Sequence, residues 1–174
     1  MLDVDAGMFL PPGRVRTTLS EVRDVWGFNA HRQNLLDEFE KFLALISKVV
    51  GIEAYWLSGT LLSDKEVPSD VDVVFVINED KINSLAAGAK RLVTAKGLAE
   101  LADRRNLRVD GYVLPWRVRP SVTIESEDEE YLRLRGYWDD FWMRRRSVPK
   151  GDPPERLCAL PRRGYVEVIV DGYK

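Results

Sequence analysis

The stretch that most constrains the fold is Val71-Asp72-Val73-Val74-Phe75-Val76-Ile77, β-branched or aromatic at every position but one. Branched side chains lose rotamer freedom in a helix and pack well on a pleated surface, and the run does not alternate. It therefore predicts a central strand buried on both faces, which needs strands beside it and helices above and below. Its exception, Asp72, stands two residues after Asp70, so both carboxylates are expected on one face of the sheet at the strand's start.

The rest of the chain supplies the layers. Its 174 residues suit one domain and no internal repeat is visible. Residues 1–17, with Pro11-Pro12-Gly13, read as an irregular N-terminal arm packed on the domain. A short helix follows, capped by Thr18 or Ser20 with Glu21 in its first turn, and ends near Trp26-Gly27. Asn29 opens a longer one whose Leu35, Leu36, Phe39, Phe42, Leu43, Ile46, Val49 and Val50 recur at helical spacing and face the core. Ala54-Tyr55-Trp56-Leu57 reads as a strand ending in a Ser58-Gly59 turn. Between Asp80 and Arg105, Gly88 and Gly97 suggest one broken helix or two short ones, and Leu107 to Leu114 a third strand closed by Pro115. Ser126 and Glu129 form a capping box for a helix over 126–146, and residues 165–170 alternate as a final edge strand. The expected class is α/β (α+β), a single domain with a mixed central sheet flanked by helices.

Composition narrows the chemistry. The 26 Lys and Arg against 28 Asp and Glu leave a net charge of -2, which excludes a generic polyanion binder, so any nucleic-acid contact is local. One cysteine, Cys158, excludes an internal disulfide, and one histidine, His31, excludes a Cys/His zinc site within the chain. The opening residues lack a basic and then apolar leader, and no apolar run approaches the about 20 residues that span a bilayer. A cytoplasmic protein without membrane contact is expected.

Asp70 and Asp72 side by side repel unless one is protonated or both share a cation. A hard ion such as Mg²⁺ resolves the conflict with one or two carboxylates plus water and phosphate oxygens. The alternative is that both simply hang into water. Gly59 allows a turn whose backbone N–H groups can face a phosphate, and nine residues separate Thr60 from Asp70. The pattern of an apolar residue, Ser58-Gly59-Thr60, nine residues and Asp70-Val71-Asp72-Val73 resembles the signature of the nucleotidyltransferase fold of the polymerase β superfamily.

That resemblance implies a turn at Ser58, Gly59 and Thr60 that cradles a triphosphate and acids Asp70 and Asp72 that bind Mg²⁺ or Mn²⁺. It also implies a third acid on a neighbouring strand, where Asp110 fits, the lesser alternative being that Asp110 caps the turn at Gly111. Lys65 could add positive charge to the phosphates from a mobile loop, or be a solvated surface lysine. Leu10-Pro11-Pro12-Gly13, Trp56 to Thr60, Ser63-Asp64-Lys65, Pro68 to Asp72 and Arg163-Gly164-Tyr165-Val166-Glu167 look like a stand-alone nucleotidyltransferase-like family of bacteria, prophages and phages. The implied reaction moves a nucleoside monophosphate from a nucleoside triphosphate to an acceptor hydroxyl on RNA, protein or a small molecule. A rival reading keeps the fold without catalysis, as a phage or toxin–antitoxin component that works by binding a partner.

Arg144-Arg145-Arg146 beside Tyr137, Trp138, Phe141 and Trp142 offers a basic and aromatic surface for RNA, yet the Leu134, Trp138, Trp142 spacing also suits a core and the arginines a helix end. His31 is expected to be exposed and inert, and Cys158 an incidental thiol.

Overall fold

The computed structural model describes residues 2–117, 129–149 and 151–173. It is an α/β domain built on one mixed sheet of five strands. The strands are β1 (Gly13–Thr17), β2 (Ala54–Ser58), β3 (Val71–Asn78), β4 (Val109–Trp116) and β5 (Gly164–Ile169), in the order β1-β5-β2-β3-β4. β3 lies antiparallel to β2 and parallel to β4, β5 is antiparallel to β2, and β1 runs parallel to β5.

The long-range pairing of β1 corrects the arm expected over 1–17. Residues 13–17 form a strand whose Arg14 and Arg16 alternate with Val15, and its partner lies at the other end of the chain. The pairing also corrects the final strand, which is not at the edge. β5 sits between β1 and β2 and is buried over Gly164–Val168, as its apolar alternate residues require. β4 runs through Pro115 to Trp116 instead of stopping before the proline, because β4 itself is the sheet edge, where a missing N–H removes no ladder bond on the open side.

The helices are α1 (Leu19–Trp26), α2 (Ala30–Ser47), α3 (Glu79–Ser84), α4 (Ala87–Leu92), α5 (Ala95–Arg105) and α6 (Glu129–Met143). Thr18 and Glu21 close a reciprocal capping box on α1, and Asn29 caps α2 through the Arg32 backbone N–H. Between 79 and 105 there are three helices, broken at Leu85-Ala86 and Val93-Thr94 and not at the glycines. Gly97 sits in the first turn of α5 because a methyl there would lie 1.9 Å from the Arg91 carbonyl oxygen. α6 ends at Met143, three residues short of the expected Arg146, and the Ser126 cap lies outside the described residues.

Alternation along the strands divides the sheet into two faces. Val71, Val73, Phe75 and Ile77 of β3 pack against Leu35, Leu36, Phe39 and Phe42 of α2 and Leu98 and Ala102 of α5, in a cluster completed by α1. On the other face Val74 and Val76 join Trp56, Tyr165 and Leu114 beneath Trp138 and Trp142 of α6. Both faces of β3 are closed over most of its length, as its composition requires. No helix among the described residues is long and apolar enough to cross a membrane.

Candidate functional site

The α6 face of the sheet is covered row by row. Trp56, Val74 and Tyr112 occupy adjoining register positions under the α6 tryptophans. The next row toward the start of β3 is Ser58, Asp72 and Asp110, with Ser58 opposite Asp72 and Asp72 opposite Asp110. Asp110 is half-buried and one of its oxygens accepts a hydrogen bond from the Tyr112 hydroxyl at 2.9 Å. Asp70 precedes the strand, half-buried, and accepts from the Ser69 hydroxyl.

The β2 end bends onto this row. Gly59 has φ +74°, a left-handed conformation that glycine adopts without strain, and opens a short 3-10 turn to Leu62. A methyl group on Gly59 would sit 1.6 Å from an Asp72 carboxylate oxygen, so the absence of a side chain is what lets turn and carboxylate touch. Burial first, then repulsion from Asp70 and Asp110, raise the Asp72 pKa to about 6 against the opposing charge of Arg163. Burial, followed by its bond to Asp110, likewise lifts the Tyr112 phenol to about 12.

Arg163 is the residue whose role sequence reasoning missed. It donates to the Gly59 carbonyl and the Ser58 hydroxyl, both at 3.0 Å, and to the Trp142 carbonyl at 3.2 Å. One guanidinium thus joins the β2 turn to the end of α6 and adds positive charge beside Asp72. The signal was the run Arg163-Gly164. Gly164 is small because the Pro11 carbonyl passes 2.3 Å from where its methyl would be, so Leu10 to Gly13 and Arg163-Gly164 are neighbours in space.

The loop from Thr60 to Asp70 is tethered, not mobile as expected for Lys65. Buried Arg32 donates to the carbonyls of Trp26, Leu61 and Lys65. Asn29 donates to the Glu66 carbonyl and Ser63 to that of Thr60, while the His31 imidazole donates to Pro68 at 2.7 Å. His31 is therefore half-buried and structural. The Thr60 and Lys65 residues are exposed, and Lys65 makes no described side-chain bond.

The arginines at the end of α6 are engaged within the chain. Arg144 pairs with Asp140, Arg145 lies 3.9 Å from the Phe9 ring centroid, and Arg146 donates to the Val148 and Asp152 carbonyls. Trp138 and Trp142 are core, whereas Tyr137 and Phe141 are exposed. Cys158 rests against Ser147, whose hydrogen bonds lower its pKa.

Among the described residues no group of three or more His, Cys, Asp or Glu is gathered as a ready metal cluster. What the site defines is an α/β domain with two carboxylates side by side at the sheet end beyond α6, bordered by a glycine turn. The chain belongs to a family of unknown function, DUF6932, whose model matches residues 2–169. Neither the curated proteins nor the solved structures contain a match to it.

Proposed function

We propose that the chain is a Mg²⁺- or Mn²⁺-dependent nucleotidyltransferase that moves a nucleoside monophosphate from a nucleoside triphosphate to a hydroxyl acceptor on RNA, protein or a small molecule. The observation that carries the reading is the row Ser58, Asp72, Asp110, with Gly59 folded onto the Asp72 carboxylate. A half-buried carboxyl whose burial and two acidic neighbours push its pKa up to about 6 is the kind of group found more often where chemistry is done.

The adjacent Asp72 and Asp110 suit a divalent ion held by one or two carboxylates together with water and phosphate oxygens, although the described residues gather no group of three acids able to hold a metal. Asp70, Asp72 and Asp110 would hold it, and it would supply charge neutralisation at the phosphates. The acceptor oxygen forms a bond to the α-phosphorus while the bond to the leaving pyrophosphate breaks, and pyrophosphate departs with that electron pair. Asp110, one oxygen held by Tyr112, orients the acceptor. The other Asp110 oxygen is placed to take the hydroxyl proton. The Gly59-Thr60 backbone places the phosphates, with the Arg163 guanidinium fixing that turn.

Arg163 favours a second reading, a non-catalytic interaction module, since it gives Asp72 a built-in counter-charge. Its guanidinium is engaged by Ser58, Gly59 and Trp142, and no described salt bridge joins it to Asp72. Incubation with α-labelled nucleoside triphosphates, Mg²⁺ or Mn²⁺, and total cell RNA and protein separates the two. Label on an acceptor with release of pyrophosphate supports the enzyme; metal-dependent stabilisation with the nucleotide unchanged supports the module. Asp70→Asn or Asp72→Asn should abolish both metal-induced stabilisation and transfer. Asp110→Asn should keep most triphosphate affinity while transfer falls by about 10²-fold or more.

A further inference from the structure

A cavity of about 440 Å³ lies between the C-terminal end of α5 and the start of β4. Small-molecule sites run from about 300 to 1,000 Å³, so it has room for a molecule of sugar size. Buried Ala102 and Val109 and half-buried Leu107 give it an apolar wall. It opens directly on the acids, because Asp70 and Asp110 themselves line it. Its place in the sheet matters as much as its size. The row Ser58, Asp72, Asp110 crosses β2, β3 and β4 in that order, with the Gly59 turn at the β2 end and the cavity at the β4 end. Displacement at phosphorus is in line, so acceptor and leaving pyrophosphate stand on opposite sides of the reacting atom. A row with a phosphate turn at one end leaves the other end for the acceptor.

We propose that this cavity is the acceptor subsite and that the acceptor is a small alcohol carrying a protonated amine. The inference rests on the nucleotidyltransferase reading and names the substrate class of that site. Charge selects the occupant. The lining holds three carboxylates, Asp70, Asp103 and Asp110, and its one cation, Arg108, is already bound by Glu38 at 2.7–3.2 Å. An RNA backbone or a phosphorylated acceptor would set negative charge against those acids, whereas an ammonium group relieves their repulsion. The acceptor hydroxyl at Asp110 bonds the α-phosphorus, its proton passes to that carboxylate, and pyrophosphate leaves toward the Gly59 turn with the electron pair of the broken bond.

The test has two arms. The first measures binding of glucosamine, glucose and glucose 6-phosphate, similar rings carrying an ammonium, no charge and a phosphate, to the wild-type chain with Mg²⁺ and to Ala99→Trp and Asp103→Asn. Both residues line the cavity from exposed positions on α5, so neither change enters the core. Glucosamine should bind about 5- to 10-fold more tightly than glucose, and glucose 6-phosphate more weakly than either. Ala99→Trp, which fills the cavity, should remove binding at an unchanged melting temperature. Asp103→Asn should weaken glucosamine about 2- to 5-fold and leave glucose as it was. Failure of glucosamine to bind, equal binding of glucose 6-phosphate, or full binding by Ala99→Trp would each overturn the subsite. The second arm follows label from α-labelled ATP with Mg²⁺ to glucosamine, total cell RNA and protein. Label on glucosamine that Ala99→Trp abolishes supports the proposal. Label on RNA or protein that Ala99→Trp leaves untouched would keep the nucleotidyltransferase reading and remove the subsite. Glucosamine held in the cavity with no pyrophosphate released in the presence of any acceptor would bring down the transferase reading, and the acceptor role with it.

Discussion

The two faces of the sheet are made of different material. The α2 and α5 face is closed mainly with aliphatic and phenyl groups, with Trp26 and Tyr55 its indole and phenol, whereas the α6 face is built largely of indoles and phenols around the buried Glu167 carboxylate. On the second face Glu167, 3% exposed, gathers Arg14, Arg16, the Trp56 indole and the Tyr173 hydroxyl. Burial alone would raise its pKa, but these partners hold it below the usual carboxylate range. The same face carries the Ser58, Asp72, Asp110 row where α6 stops covering it. The difference teaches that the large apolar core and the acidic row are assigned to opposite sides of one strand, β3, whose odd residues fill that core and whose Asp72 lies in the row.

The comparison is tested most severely by Phe42→Ala. Phe42 is fully buried beside Phe75, and its truncation should cost about 3–5 kcal/mol in chemical denaturation, against about 0.5 kcal/mol or less for exposed Phe141→Ala. Similar losses would erase the division between the faces. Asp72→Asn should act in the opposite direction and stabilise the metal-free chain at pH 7 by on the order of 1–3 kcal/mol. The sign follows from the raised folded pKa of about 6: between the ordinary carboxylate range and pH 6 the folded chain binds more protons than the unfolded one. Wild-type stability should therefore fall across that window relative to the Asn variant, measured in chelator, and parallel curves would show that Asp72 is not strained.

Arg163→Lys keeps the charge but not the fork of donors. It should cost about 1–2 kcal/mol and reduce transfer more than Arg14→Lys, whose partners lie away from the row. The smallest effect belongs to Arg144→Ala, about 0.5 kcal/mol or less, because its bond to Asp140 is an exposed pair within one helix. Replacing Arg144, Arg145 and Arg146 together should leave the salt dependence of any RNA binding unchanged, and a flatter slope would restore them as phosphate contacts.

What the sequence disclosed follows the same division. β3 and α2 were legible because their apolar patterns act locally, and Thr18 and Asn29 announced their caps. That Asp110 lies on a strand next to Asp72 was legible from the strand pattern and the resemblance, and register places the two directly side by side. β1 was not legible, since Arg14 and Arg16 hide a single inward Val15 and its partner lies some 150 residues away. Charged residues that are buried, Arg32 and Glu167 above all, read as surface because charge ordinarily means water; only the carbonyls, arginines and rings converging on them reverse that rule.

The position of β5 between β1 and β2 sets the order in which the molecule can be assembled. A growing chain makes β2, β3 and β4 early, but until residues 164–169 emerge β2 stays an open edge displaying Tyr55-Trp56-Leu57 to any other strand. The same late segment brings Arg163, so the Ser58-Gly59 turn gains its fastening in the step that seals the edge. Nascent chains are therefore at once sticky and unfinished at the site, and both conditions end together when the last strand slides in.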